Sequence, residues 1–196
     1  MVRMGVIDRA TRETTVSVRV TLDRGGESAI TTGLGFLDHM LTALAFHAGW
    51  EVQLECTGDV HVDDHHTAED TALALGSALD QALGDRSGIR RFGSAYAPLD
   101  EALARAVVDL SGRPFARVEL GLARERLGAI ACENLVHVLQ SLAVASRITL
   151  HVDVLEGGND HHKAEAAFKA LALALREAVS RPDDEVGRVP STKGSL

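Results

Sequence analysis

Two segments of the chain carry the same set of potential metal donors. DDHHTAED at 63–70 places His65 and His66 ahead of Glu69, and NDHHKAEA at 159–166 places His161 and His162 ahead of Glu165. Four of the nine histidines fall in these two HHxxE motifs, which lie 96 residues apart. On an α-helix each residue turns the side chain by about 100°, so the first histidine and the glutamate, four apart, share a face and can hold one ion. The second histidine projects roughly 100° away from the first and is directed to a different ion. Each motif therefore offers a His/Glu pair to one metal and a single imidazole to another. Two such motifs facing each other, within a chain or between chains, would make two matched sites. A solvated helix N-terminus with its glutamate set against the helix dipole accounts for one such motif, but poorly for the same arrangement twice.

The elements needed to position these motifs are legible on either side of them. TTVSVRVTL (14–22) alternates Val16, Val18, Val20 and Leu22 on one face and predicts a strand. From Phe36 the spacing becomes helical, through Met40, Leu41, Leu44 and Ala45, and ends near Gly49. EVQLEC (51–56) returns to alternation, and the first HHxxE helix runs to about Gly84 with Ala68, Ala72, Leu75, Leu79 and Ala82 inward. In the second half EALARAVVDL (101–110) fits a helix or a strand, FARVEL (115–120) a strand, CENLVHVLQSLAVAS (132–146) a helix and RITLHVDVL (147–155) a strand. The second HHxxE helix then ends near Arg181–Pro182. His61 and His151 fall in strand-like runs and read as structural.

Both halves thus read helix, strand, turn, HHxxE helix, which makes the fold class α+β with two duplicated halves. Aligning LDHMLTALAFHAG (37–49) with LVHVLQSLAVASR (135–147) pairs His39 with His137, 98 residues apart, and adds a third histidine to each half. The boundaries place the first repeat at 1–90 and the second at 91–182. The tail, 183–196, has no periodicity and is expected to be a surface arm or a segment ordered by a partner or ligand.

At 196 residues the chain can bury roughly 70% of its unfolded surface. Its net charge of −8 argues against nucleic-acid binding, so an anionic substrate must be gripped by local cations. Cys56 and Cys132 are expected to be reduced thiols. The first residues lack the apolar core of a signal peptide, and no apolar run reaches the ~18 residues of a membrane span. A soluble, cytoplasmic protein is expected.

Six imidazoles and two carboxylates, His39, His65, His66, Glu69, His137, His161, His162 and Glu165, divide into two ions with three His and one Glu each. Such donors without thiolate suit Mn, Fe, Co, Ni or Zn. Four ligands could close a tetrahedral site, whereas an octahedral ion such as Mn²⁺ would keep two positions for substrate. His47, two turns beyond His39, is a candidate substrate contact or a helix-end histidine. Arg90, Arg91, Arg113, Lys169, Ser191 and Lys193 each fit a solvated surface, yet together they could cradle a phosphate.

The two motifs, with GFLDHML (35–41), GIRRFGSAYAPLDEAL (88–103) and the terminal STKG (191–194), resemble imidazoleglycerol-phosphate dehydratase of histidine biosynthesis, over Arg9 to Lys193. The resemblance implies a ribosomal protein S5 domain 2-like fold, each half a mostly four-stranded sheet with two helices on one face. It implies dehydration of imidazole glycerol phosphate to imidazole acetol phosphate, with two Mn²⁺ ions per active site held by the eight donors above. It further implies a 24-subunit homo-oligomer with active sites between subunits. Matched position by position, Glu13 and His47 become substrate contacts, and Arg91, Arg113, Lys169, Ser191 and Lys193 lie on the phosphate side. Glu13, His65, Glu69, His161 and Glu165 form the catalytic set.

That chemistry has a reason to need metals. The hydrogen lost is not acidic, so a simple base would fail. An imidazole ring held by two cations can become imidazolate, expel the neighbouring hydroxide and pass through a diazafulvene-like species to an enol that ketonises. Glu13 is the expected proton shuttle. A dinuclear hydrolase would use more carboxylates, and a storage shell would leave the cationic set without a role.

Overall fold

The structure, a computed structural model, describes residues 2–23, 25–182 and 189–194. Of the tail anticipated at 183–196, residues 183–188 and 195–196 lie outside the described residues. The first half runs β1 (Met4–Ala10), β2 (Thr14–Thr21), β3 (Ala29–Thr31), α1 (Gly35–Ala48), β4 (Glu51–Gly58) and α2 (His65–Leu83). The second runs β5 (Phe92–Leu99), β6 (Ala102–Asp109), β7 (Phe115–Glu119), a small hairpin of β8 (Arg126–Leu127) and β9 (Ile130–Ala131), then α3 (Cys132–Ala145), β10 (Thr149–Glu156) and α4 (Asp160–Val179).

The duplication is exact in topology. The sheets are ordered β1-β2-β4-β3 and β5-β6-β10-β7, each with two antiparallel pairings and one parallel one. Val18 pairs with Leu54 in one and Ala106 with Val152 in the other, the same register carried forward by 88 and 98 residues. The step between those offsets falls between β7 and α3, where the second half inserts the segment bearing β8 and β9. The fold is therefore the duplicated α+β class read from the sequence, in the four-stranded, two-helix halves that the resemblance implies.

Packing explains the residue types. Val16, Val18 and Val20 alternate inward from β2 and are buried, as periodicity predicts. α2 and α4 lie on their own sheets through alanine-rich faces that bring helix and strand backbones close. A methyl on Gly5 of β1 would land on the Ala78 carbonyl of α2, and one on Gly93 of β5 on the Ala174 carbonyl of α4. Gly5→Ala or Gly93→Ala must push the helix off its sheet, at a cost of roughly 1–3 kcal/mol, read as a lower denaturation midpoint. Between the halves the helices pair crosswise, α1 against α4 and α2 against α3.

Several local expectations change. The ambiguous 101–110 is strand β6. β1 and β5 show no clean alternation in sequence because each is an edge strand with one side open to solvent. β5 also carries Gly93 and Pro98, residues that an edge tolerates and a central strand does not. α4 ends at Val179, where Ser180 turns extended, beside the end expected near Arg181–Pro182. His61 lies in an exposed turn after β4 rather than in a strand, while His151 is on β10 beside Phe115.

Candidate metal centre

The crosswise helix pairing decides which histidines meet. His39, on α1 of the first half, joins the motif of the second: its Nε2 and that of His161 each lie 3.1 Å from Glu165 Oε2. His137, on α3 of the second half, joins the motif of the first, with Nε2 3.1 Å from Glu69 Oε1. His65 Nε2 is 4.0 Å from Glu69 Oε2, and its ring stacks on His137 with centroids 4.9 Å apart. Each group, His39–His161–Glu165 and His65–Glu69–His137, keeps one donor atom per residue within 4.8 Å of the others. Both mix one carboxylate with two imidazoles, and neither includes the buried, unpaired Cys56 or Cys132. Donors about 2.1 Å from one ion and at right angles to each other stand about 3.0 Å apart, so the 3.1 Å gaps fit an ion of the expected kind.

The second histidine of each motif points elsewhere, as the helical angle requires. His66 Nδ1 is 3.1 Å from Asp59 Oδ2, and its Nε2 is 3.7 Å from Glu13 Oε1. His162 Nδ1 is 2.7 Å from Glu101 Oε2. Those carboxylates raise the pKa of both imidazoles, opposed by partial desolvation. Within one chain the two groups therefore hold two histidines and one glutamate each, with His66 and His162 left on the outside.

Glu13 occupies the turn between β1 and β2, where Thr11 Oγ1 accepts its amide at 3.1 Å. The neighbouring Thr14 hydroxyl donates to the buried Asp70, which also pairs with Arg9. In the matching turn of the second half stands Glu101, 88 residues on. Its Oε1 accepts the amides of Gly158 and Asn159 at 3.2 and 2.8 Å, which ties the β5–β6 turn to the start of α4. The His162 contact and these amides hold its carboxyl down at about 2.

Other residues hold the first histidines in place. Asp64 and Asp160 directly precede the two pairs, and both are buried. Asp64 accepts from Ala131 N at 2.6 Å and Asn134 Nδ2 at 2.8 Å, and Arg126 lies at 3.2 Å. Asp160 accepts the amides of Ala123 and Arg124 at 2.9 and 2.7 Å, and Lys163 at 3.1 Å. The inserted β8–β9 segment thus bonds to the start of both motif helices. Sequence reasoning missed these aspartates, Asn134 and Glu101, although an aspartate ahead of each histidine pair was itself a duplicated signal.

The cationic residues gather in two places. Arg91 Nε donates to Asp109 Oδ1 at 2.7 Å, Arg113 lies 3.7 Å from the same carboxylate, and Arg91 Nη1 donates to the Pro190 carbonyl at 2.7 Å. This brings the tail residues Ser191 and Lys193, linked by a 3.2 Å hydrogen bond, to the end of the second sheet. Arg90 turns instead to Glu177. Lys169 is not among them: its Nζ sits 2.6 Å from Glu165 Oε1. His47 is half-buried in the last turn of α1, and burial, then the Lys169 charge, pushes its pKa down.

Burial alone would push the Glu165 carboxyl up, but Lys169, His39 and His161 together bring it down to about 2, against 4.5 for a free side chain. A carboxyl depressed in the folded state contributes stability above its unfolded pKa and loses it as pH falls through the folded one. The metal-free protein should therefore lose thermal stability between pH 4.5 and 2, with a shallower slope in Lys169→Met, measured by scanning calorimetry across that window.

Two α+β halves with one topology, sharing a pair of crossed histidine–glutamate groups, define a duplicated enzyme scaffold. Among the described residues no helix is long and apolar enough to cross a membrane. A model of the imidazoleglycerol-phosphate dehydratase family matches residues 32–175. The chain is 62% identical over 168 residues to the imidazoleglycerol-phosphate dehydratase of Neurospora crassa, covering 86% of this chain and 73% of that one. It is 52% identical to that of Scheffersomyces stipitis, with both chains covered in full. The crystal structure of the Staphylococcus aureus dehydratase superimposes with a TM-score of 0.83 at 36% identity, over 91% of this chain and 99% of that one. That of Pyrococcus furiosus, in complex with (S)-C348, gives 0.83 at 38%, over 97% and 100%. The chain belongs to the imidazoleglycerol-phosphate dehydratase family.

Proposed function

We propose that the protein dehydrates imidazole glycerol phosphate to imidazole acetol phosphate in histidine biosynthesis, in the cytoplasm, using two Mn²⁺ ions per active site. The observation that carries this is the crossed geometry: each HHxxE motif is joined by the other half's lone histidine, giving two matched donor groups. His39, His161 and Glu165 would hold one ion, and His65, Glu69 and His137 the other. His66 and His162, outside both groups, would complete the spheres of neighbouring chains in a 24-subunit particle. When bound, the two cations supply the positive charge that lets the substrate's imidazole ring give up its proton.

The remaining work falls to the chain. Its ligating imidazoles must present unprotonated nitrogens, and hydrogen bonds at the opposite ring nitrogens of His65, His66 and His162 orient them. Glu13, with Oε1 3.7 Å from His66 Nε2, would hold or deliver a proton in these steps. Arg91 and Arg113 bind the phosphate with Ser191 and Lys193, kept in place by Asp109 while they wait for it. Lys169 and His47 contact the substrate from the Glu165 side.

A histidine auxotroph lacking this dehydration step should grow without added histidine when it carries the chain. Growth should fail with the Glu69→Ala, Glu165→Ala double variant. Failure with the unaltered, stably expressed chain would count against the assignment.

A further inference from the structure

The duplication makes the two donor groups look interchangeable, yet their immediate surroundings differ at two matched positions. The first faces the leading histidine of each motif. On α3 it is Asn134, and 98 residues earlier on α1 it is Phe36. Asn134 Oδ1 lies 3.0 Å from His65 Nδ1, while its Nδ2 donates to Asp64 Oδ2 at 2.8 Å. Asp64 can only accept, so the amide is pinned with its oxygen toward His65. His65 must then carry its proton on Nδ1 and direct the Nε2 lone pair at Glu69 and His137. Asn134 and Asp64 are 5% and 4% exposed, so water competes little for these bonds. At the other group the Phe36 ring stands 5.1 Å from the His161 ring and offers no acceptor.

The second position lies one turn after each glutamate. After Glu165 it is Lys169, with Nζ 2.6 Å from Oε1; after Glu69 it is Leu73. Among the described residues no Lys or Arg bridges Glu69. The negative charge of Glu165 is therefore offset in place, whereas that of Glu69 is free for a cation. A dication entering beside Glu165 meets a weakened carboxylate donor and a nearby ammonium. Two details oppose this: Ser141 Oγ lies a long 3.4 Å from His137 Nε2, and His65 Nε2 stands 4.0 Å from Glu69 Oε2 where His161 Nε2 is 3.1 Å from Glu165 Oε2.

We propose that the two centres are unequal: a divalent cation fills His65–Glu69–His137 first, and His39–His161–Glu165 only at higher concentration. Asn134 is a positioning residue for the tight centre, and Lys169 sets the weakness of the other. This rests on the assignment of both groups as metal centres, and its test separates the two claims. Metal-free full-length protein is titrated with MnCl₂, and free Mn²⁺ is followed by its electron paramagnetic resonance signal.

One ion per chain should bind at least about tenfold more tightly than the second, the scale on which partners of metal ligands act. Glu69→Ala should remove the tight phase and Glu165→Ala the weak one. Asn134→Ala should weaken the tight phase by roughly 10- to 100-fold. Lys169→Met, at a partly exposed position that leaves the core intact, should draw the weak phase toward the tight one. A single phase of two equal ions, or loss of the tight phase in Glu165→Ala, overturns the inequality while leaving both centres standing. No Mn²⁺ bound at all overturns the centres themselves.

Discussion

Glu13→Gln should leave the bound metal unchanged and reduce turnover by roughly 10²- to 10⁴-fold, the range a positioned general acid or base contributes. Glutamine keeps the size of the side chain and most of its hydrogen bonding but can neither take nor give the proton. Glu13 belongs to neither donor group, standing 3.7 Å from His66 Nε2 in a turn secured by Thr11. Its loss should therefore fall on kcat, with metal content by elemental analysis and particle size as in the parent. Near-normal turnover in Glu13→Gln would remove it from the mechanism.

Stripping the metal should break the assembly. Each donor group holds three residues of one chain, and among the described residues His66 pairs with Asp59 and Glu13, and His162 with Glu101 and Asp100, all carboxylates outside both groups. If those two imidazoles complete the spheres of neighbouring subunits, the ions are cross-links, and chelation leaves the subunits without them. Light scattering should show a much smaller species after chelation and recovery of the large one on adding Mn²⁺. An unchanged particle after complete metal removal would show that the ions are not what holds the subunits together. Anything that binds the assembled state stabilises it in this way.

The parts of this arrangement that were legible in sequence are those governed by local periodicity. The i,i+4 relation of His161 and Glu165 follows from helix geometry, as does the divergence of His162 from its neighbour. The four long helices announced themselves because each buries one apolar stripe. The edge strands β1 and β5 did not, since Asp8, Ser94 and Tyr96 stand on their open sides and Arg9 takes an inward position of β1, paired with the buried Asp70, in place of an apolar residue. The crossing of His39 to the second motif and His137 to the first was also out of reach. It depends on α1 packing on α4 and α2 on α3, a tertiary choice that no single segment encodes. Asn134 and Phe36 show the same limit: aligned helices reveal that they differ, but only packing shows that both stand against a motif histidine.

The central claim is that crossed histidine–glutamate groups in this chain support a metal-dependent dehydration. The most direct measurement is phosphorus and proton NMR of the Mn²⁺-loaded protein mixed with imidazole glycerol phosphate, quenched by chelation before the spectra are taken. The account predicts conversion to the phosphorylated ketone, with no inorganic phosphate released and no reaction in the metal-free sample. Release of inorganic phosphate would instead mark a hydrolase, and unchanged substrate in the presence of bound Mn²⁺ would contradict the dehydratase assignment.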